Sequence, residues 1–320
     1  MSDALRALLP SYGLAADASL RILNQSENTT WIAGAEPTQI ILRQHREGYH
    51  TRSEIASELD WLAALQATPG LRCPRPLPSR DGKVIHRTDN RYTVAFALIA
   101  GREPVPGDDL RPWFANLGQT TAQLHDHARC WPRPAGFTRK RWDCDTILGP
   151  DPHWGDWRKA PGLTPDASAV LKRLSADLCL RLTAYGTGPE VFGLIHADLR
   201  LANLLIDGDG LWVIDFDDCG FGWRMYDFAA AVSFIETDAR IPELADLWCE
   251  GYRQAGALTQ TDEAMLPVLV MLRRILLTAW IGTRADSDTA QALGGADYTA
   301  GTADLAERFL VRGPAAFWRG

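Results

Sequence analysis

The sequence has no pair of cysteines at metal-ligand spacing. Cys73, Cys130, Cys144, Cys179, Cys219 and Cys249 are scattered without a C-x-x-C, which excludes a zinc ribbon, gives no disulfide framework and suits a reducing compartment. No basic block is present either. Lys and Arg number 33 against 40 Asp and Glu, for a net charge of -7, so nucleic acid is not expected as a partner. Long apolar runs are missing as well. The most apolar segment, Ala264 to Ile281, is broken by Pro267, Arg273 and Arg274 and reads as a core helix, not a membrane span. Met1 to Pro10 lacks a basic start followed by a long apolar core, so no signal peptide is read. Neither G-x-G-x-x-G nor a Walker A loop occurs, and there is no repeat or low-complexity tract. The expectation is a cytoplasmic protein, monomer or homodimer, with no nucleic-acid or membrane partner. Its 320 residues and 46% hydrophobic content give ample core for one large or two smaller domains.

What is present centres on Val191 to Phe221, VFGLIHADLRLANLLIDGDGLWVIDFDDCGF. His196, Asp198 and Asn203 stand as H-x-D-x4-N, and Asp215 follows after two short apolar runs. Between those runs Asp207-Gly208-Asp209-Gly210 is strong hairpin chemistry, because Asp and Gly tolerate positive φ in tight turns. A turn centred on Gly208 and Asp209 would bring Asn203 beside Ile214 and Asp215. Hard oxygen ligands gathered in this way suit Mg²⁺ that also keeps phosphates and water.

The spacing matches the kinase catalytic loop, H-R-D-x-x-x-x-N followed by the aspartate of D-F-G. Ala197 replaces the arginine, and Asp215-Phe216-Asp217 replaces D-F-G, so a glycine-hinged flip of this segment is not expected. The stretch resembles the aminoglycoside phosphotransferase and choline kinase superfamily, which has a protein-kinase-like fold and phosphorylates small alcohols. The resemblance implies an α+β, bilobal protein-kinase-like fold, with a small β-rich N-lobe over residues 1–100 and a larger, mainly helical C-lobe over 101–320. It implies ATP and Mg²⁺ as cofactors. Asp198 would accept the proton of the acceptor hydroxyl, while Asn203 and Asp215 hold the metal; these three form the expected catalytic set.

In the N-terminal part, Leu20 to Ala33 and Gln39 to Gln44 read as strands, with Asn24 to Asn28 as a loop between apolar pieces. On the resemblance this loop covers the ATP phosphates through backbone N–H groups, helped by Ser26 and Asn28. Ile40-Ile41-Leu42-Arg43 is a buried-looking strand ending in a cation. Thr51-Arg52-Ser53-Glu54 fits a capping box, and Ile55, Leu59, Leu62 and Leu65 then make one apolar face. Glu58 falls inside that face, where an unpaired charge is costly, and Arg43 is its nearest suitable cation. That is the kinase pairing of a β3 cation with a helix αC glutamate, here with an arginine fork that can span two phosphate oxygens. Arg91 to Ala100 reads as a further strand, whose backbone near Phe96 to Ile99 would read the adenine edge.

Farther on, a helix is expected from about Leu110 to His127, with His125-Asp126-His127 read as packing or capping, because residues two apart on a helix diverge. Trp131 to Pro165 is irregular and rich in Pro, Gly and Trp; a stretch this long is functional or carries short helices, and its tryptophans either wall the acceptor pocket or fix the loop to the core. Asp166 to Tyr185 is an amphipathic helix stopped by Gly186. Asp227 is read as support for the catalytic-loop backbone, as a comparable Asp does in the resembling family. Three further helices follow from Ile241. The expected function is transfer of the γ-phosphoryl of ATP to a hydroxyl of a small molecule: an amino alcohol, a hydroxy amino acid or an aminoglycoside-like acceptor. Asp217, Asp218, Glu236 and Asp238 would suit a cationic acceptor, and Arg284 is a further candidate for its pocket. A protein Ser/Thr kinase of the stress-response type and a catalytically silent nucleotide-binding scaffold stay open as alternatives.

Overall fold

The computed structural model describes residues 3–25, 28–208, 210–285 and 287–318. These form two compact units. The first runs to Arg102 and adds Trp131–Arg139 and Leu205–Asp217; the second takes Glu103–Cys130, Lys140–Leu204 and the chain from Asp218 onward.

The first unit is built on a five-stranded antiparallel sheet. In spatial order its strands are Leu20–Gln25, Thr29–Ala33, Ile40–Gln44, Arg91–Ala97 and His86–Thr88. The edge strand runs two residues into the expected loop. A bulge between Ile22 and Asn24 lets Asn24 and Gln25 still pair with Thr30 and Thr29, at the cost of exposing Ile22 and Leu23. One face buries Trp31, Ala33, Ile40, Leu42 and Ala95 against Leu5, Leu8 and Leu9. Because successive side chains alternate across a strand, burying Leu42 on that face sends Arg43 to the other. The Arg52–Leu65 helix has both halves of the expected capping box, with the Thr51 side chain on Glu54 N and the Glu54 side chain on Thr51 N. Ile55, Leu59, Leu62, Leu65 and Glu58 are all buried, while Asp60 is exposed. The hairpin is also present, Leu204–Asp207 against Gly210–Val213, with Gly208 in the left-handed region at φ 57. Asp209 lies outside the described residues.

The second unit is mainly helical. The first long helix of this unit is Arg111–Cys130, which starts one residue after the expected Leu110 and runs three residues past His127. It crosses Ile241–Ala255 backbone to backbone, since a Cβ on Gly118 would meet Trp248 O at 2.0 Å and one on Gly251 would meet Ala115 O at 1.9 Å. Only glycine permits that approach. The long tryptophan-rich stretch does carry short elements: a strand at Arg141–Trp142, a helix at Cys144–Leu148 and a turn of 3₁₀ helix at Trp157–Lys159. Trp142, Trp154 and Trp157 are buried. Pro165–Tyr185 is the amphipathic helix expected, with Leu171, Leu174, Leu178 and Leu182 inside. Beyond the long helices Ile241–Ala255, Gln260–Thr283 and Gly295–Arg312, a short one, Asp288–Ala292, was not foreseen. Gln260–Thr283 is long and apolar enough to cross a membrane by length and composition, but its most apolar window is 94% buried within the protein. It is the central core helix.

Candidate active site

In the second unit the H-x-D-x4-N loop hangs from the strand Phe192–Ile195, which pairs antiparallel with Gly220–Trp223. Asp227, fully buried near the start of the Tyr226–Ala231 helix, fastens it. Its Oδ2 accepts from His196 N at 3.1 Å and its Oδ1 from Ala197 N at 2.7 Å. His125 reaches the same Oδ2 at 3.0 Å and Tyr252 Oη at 3.0 Å. Burial holds the His125 imidazole below its usual pKa, against the pull of Asp227. Thus His125 is a packed histidine tying the glycine-crossed helices to the loop, and Asp227 has the supporting place expected of it. Ala197 sits at φ 68, a strained value for a residue with a Cβ.

Asp198 follows, only 8% exposed. Asn203 Nδ2 donates to its Oδ2 at 2.7 Å and to its backbone carbonyl at 2.8 Å. Arg200 Nε lies 3.3 Å from Oδ2, and Arg273 Nη2 donates to Oδ1. Burial alone would raise this carboxyl's pKa, but Arg273, Arg200 and His196 together outweigh it and hold it below the ordinary value. The carboxylate is therefore ionised, and both of its oxygens are fixed. Asn203 Oδ1 has no hydrogen-bond partner among the described residues.

The first unit holds a second polar centre. Arg43 Nη2 donates to both oxygens of the fully buried Glu58 at 2.7 and 2.6 Å, and Nη1 donates to Asp215 Oδ1 at 3.1 Å. The ring of Phe96 lies 5.1 Å from the guanidinium carbon. The charge inside the apolar stripe has found the partner that burial demands. Asp215 is at φ 61, and its side chain is 41% exposed. Phe216 beside it is fully buried, edge-on to Trp61 at 5.4 Å. This anchors the segment while Asp215 faces outward.

Asp217 turns the opposite way. It is buried against His45 at 3.2 Å, His50 at 3.3 Å and Arg43 at 3.7 Å, and it accepts from Asn28 Nδ2 at 2.8 Å. Burial opposes its ionisation, but His50, Arg43 and His45 overcome this and hold it well below the usual carboxylate range. Burial and Arg43 in turn push the His45 pKa down. His45, Glu58 and Asp217 offer ligand atoms within 4.8 Å of one another, but Arg43 already supplies the positive charge among them.

Of the residues expected around a nucleotide, Arg43 and Glu58 are joined and Asp215 is joined to them. Asn28 is committed to Asp217 and to Arg46 N at 3.2 Å. Ser26 lies outside the described residues. The strand ends at Ala97 rather than Ala100, and Phe96 is held by Ile41 on one side and Pro76 on the other. Its backbone is spent on the sheet, so Leu98 and the half-buried Ile99, beyond the strand end, are the parts of that segment left outside the ladder. Asp198 and Asn203 are joined to each other in the second unit. Of the acids put forward for a cationic acceptor, Asp217 holds Arg43 and the histidines. Glu236 holds Arg274 at 2.7 Å and Asp238 holds Arg240 at 2.7 Å. Arg284 sits just past the end of the Gln260–Thr283 helix. Sequence reasoning did not foresee His45, His50 or Arg273 as members of these centres. For Arg273 a signal existed, because an arginine inside an apolar helix needs an acidic partner as surely as Glu58 needs a basic one.

Residues 19–263 match the phosphotransferase enzyme family. The solved structure of the microcompartment-associated aminopropanol kinase is 46% identical, with a TM-score of 0.89, and the match covers 96% of this chain and 97% of that one. An uncharacterized protein of Deinococcus radiodurans is 31% identical over 89% of this chain and 82% of its own length. The amicoumacin kinase hAmiN, solved with AMP-PNP, Ca²⁺ and Ami, shares the fold at a TM-score of 0.72 and 21% identity, covering 89% of this chain and 88% of that one. With the fold, the H-x-D-x4-N loop and these likenesses in agreement, the chain belongs to the phosphotransferase enzyme family and is a small-molecule kinase that acts on an alcohol group.

Proposed function

We propose that this enzyme transfers the γ-phosphoryl group of ATP to the hydroxyl of a small amino alcohol of the aminopropanol type, with Mg²⁺ as the metal. The observation that carries this reading is the likeness to an aminopropanol kinase over nearly the whole chain. Asp198 is the group on which the acceptor hydroxyl rests. An ionised carboxylate with fixed oxygens orients that O–H for attack and takes its proton as the new O–P bond forms. Asp215 and Asn203 fit a hard cation by their chemistry, one offering an outward carboxylate and the other an amide oxygen unspent among the described residues. When bound, Mg²⁺ would neutralise charge on the triphosphate. Arg43, locked by Glu58 and stacked on Phe96, is a fixed cation for phosphate oxygens.

The test is ADP release by the purified protein with Mg-ATP and a panel of acceptors. The panel holds 1-amino-2-propanol, ethanolamine, choline, homoserine, an aminoglycoside and a generic protein such as casein. Turnover is expected with the short amino alcohols and not with casein. Phosphate appearing in casein alone, or turnover with none of the amino alcohols, would overturn the reading.

A further inference from the structure

Arg273 occupies the middle of the Gln260–Thr283 helix, 1% exposed, among Met271, Leu272, Ile275 and Leu276. Removing a guanidinium from water is expensive unless its donors are met, and here each of the three nitrogens has a partner, in the loop, at Tyr226 or at Ser233. Nη2 donates to Asp198 Oδ1, and Nη1 donates to Ala197 O and Tyr226 Oη, each at 3.3 Å. Nε donates to Ser233 Oγ at 3.1 Å. Trp154 covers the guanidinium at 4.8 Å from its ring centroid, and the Tyr226 ring lies at 5.8 Å. The roof is itself fastened, since Thr283 Oγ1 on the same helix donates to Trp154 O at 3.0 Å.

Two features separate this from an ordinary buried ion pair. The fork grips both the carboxylate of Asp198 and the carbonyl of the residue before it, Ala197, whose backbone is in the left-handed region. It also takes one carboxylate oxygen while Asn203 and Arg200 take the other, so the plane of the carboxylate is set from two sides. The neighbouring Arg274 shows the contrast. It is also buried but spends its charge on Glu236, with Tyr298 against its face at 3.5 Å, and it makes no contact with the loop among the interactions described.

We propose that Arg273 is the positioning residue for Asp198, orienting its carboxylate toward the acceptor hydroxyl through a planar fork that also holds the Ala197 carbonyl. The inference rests on the reading of Asp198 given above. Lysine keeps the charge but cannot reproduce a fork, so Arg273→Lys misplaces the carboxylate without removing its counter-charge.

The experiment is steady-state kinetics on Arg273→Lys, Asp198→Asn, the double variant and Ser233→Ala, with folding checked by thermal melts. For Arg273→Lys, kcat should fall about 10²-fold, the scale set by a roughly 1 Å misplacement. The acceptor KM and the affinity for Mg-AMP-PNP should stay within about threefold, because binding is not what the fork controls. In the Asp198→Asn background the same change should cost less than about twofold, since a residue acting only through Asp198 has nothing left to act on. An unchanged kcat in Arg273→Lys, or the same fold-loss with and without Asp198, would make Arg273 merely structural and overturn the proposal. Should Arg273→Lys not fold, Ser233→Ala decides: freeing Nε should lower kcat about threefold or more at constant KM, and no change refutes the proposal. If Asp198→Asn keeps near-normal turnover, the reading of Asp198 itself fails. If Asp198→Asn is inactive while Arg273→Lys is normal, only the present inference fails.

Discussion

Arg43 and Arg273 are buried guanidiniums in different units, each holding a carboxylate and each lying on an aromatic ring. Arg43 grips Glu58 with one nitrogen bridging both oxygens and shares Asp215, which stays 41% exposed. Arg273 grips Asp198 and the loop backbone together. In the first unit, then, a fully buried acid is the anchor and a second, part-exposed acid shares the same guanidinium; in the second, one buried acid is held from both sides. This difference predicts that the first arginine centre separates stability from chemistry, whereas the second does not.

The comparison can be broken most forcefully at Glu58. Truncation by Glu58→Ala leaves Arg43 buried beside Asp217 and Asp215 but without its main partner, and should cost about 3–5 kcal/mol of stability, measured by chemical denaturation. Replacing both members, Arg43→Met with Glu58→Leu, should recover only part of that loss: the apolar pair needs no compensation, but the buried Asp217 is left with His45 and His50 alone. Phosphoryl transfer should stay lost, however, if Arg43 serves the nucleotide. Full recovery of turnover in the double variant would reduce Arg43 to a structural ion. A smaller effect sharpens the comparison from the other side. Phe96→Leu removes the ring beneath Arg43 and should cost about 1 kcal/mol with kcat little changed. A tenfold fall in kcat without a stability change would show that the ring matters to chemistry rather than to packing.

The Arg43–Glu58 pair was legible in the sequence because it links a strand end to the next helix, and the 3.6-residue period places Glu58 inside an apolar stripe. The hairpin was legible from Asp207-Gly208, and the packed role of His125 from helix geometry. Arg273 escaped because its partner is 75 residues away and no local pattern connects the Gln260–Thr283 helix to the H-x-D-x4-N loop. The same burial rule applied there would have demanded an acid without saying which. Asp217 misled for a related reason. Next to Asp215 it looks like a second ligand-binding carboxylate, but Phe216 is buried against Trp61 and the backbone turns at Asp215, so the side chain of Asp217 points into the histidines. The bulged edge strand and the glycine crossing of the helices depend on contacts between distant segments, which periodicity does not carry.

Asp198 is proposed to serve the acceptor hydroxyl, and Asp215 the metal and nucleotide. Thermal shift with Mg-AMP-PNP, read beside kcat on Asp198→Ala and Asp215→Ala, separates these roles. Asp198→Ala should keep the Mg-AMP-PNP shift and lose about 10³-fold or more in kcat; Asp215→Ala should lose both. An Asp198→Ala enzyme turning over at near the normal rate, or an Asp215→Ala protein with an undiminished Mg-dependent shift, would contradict the account.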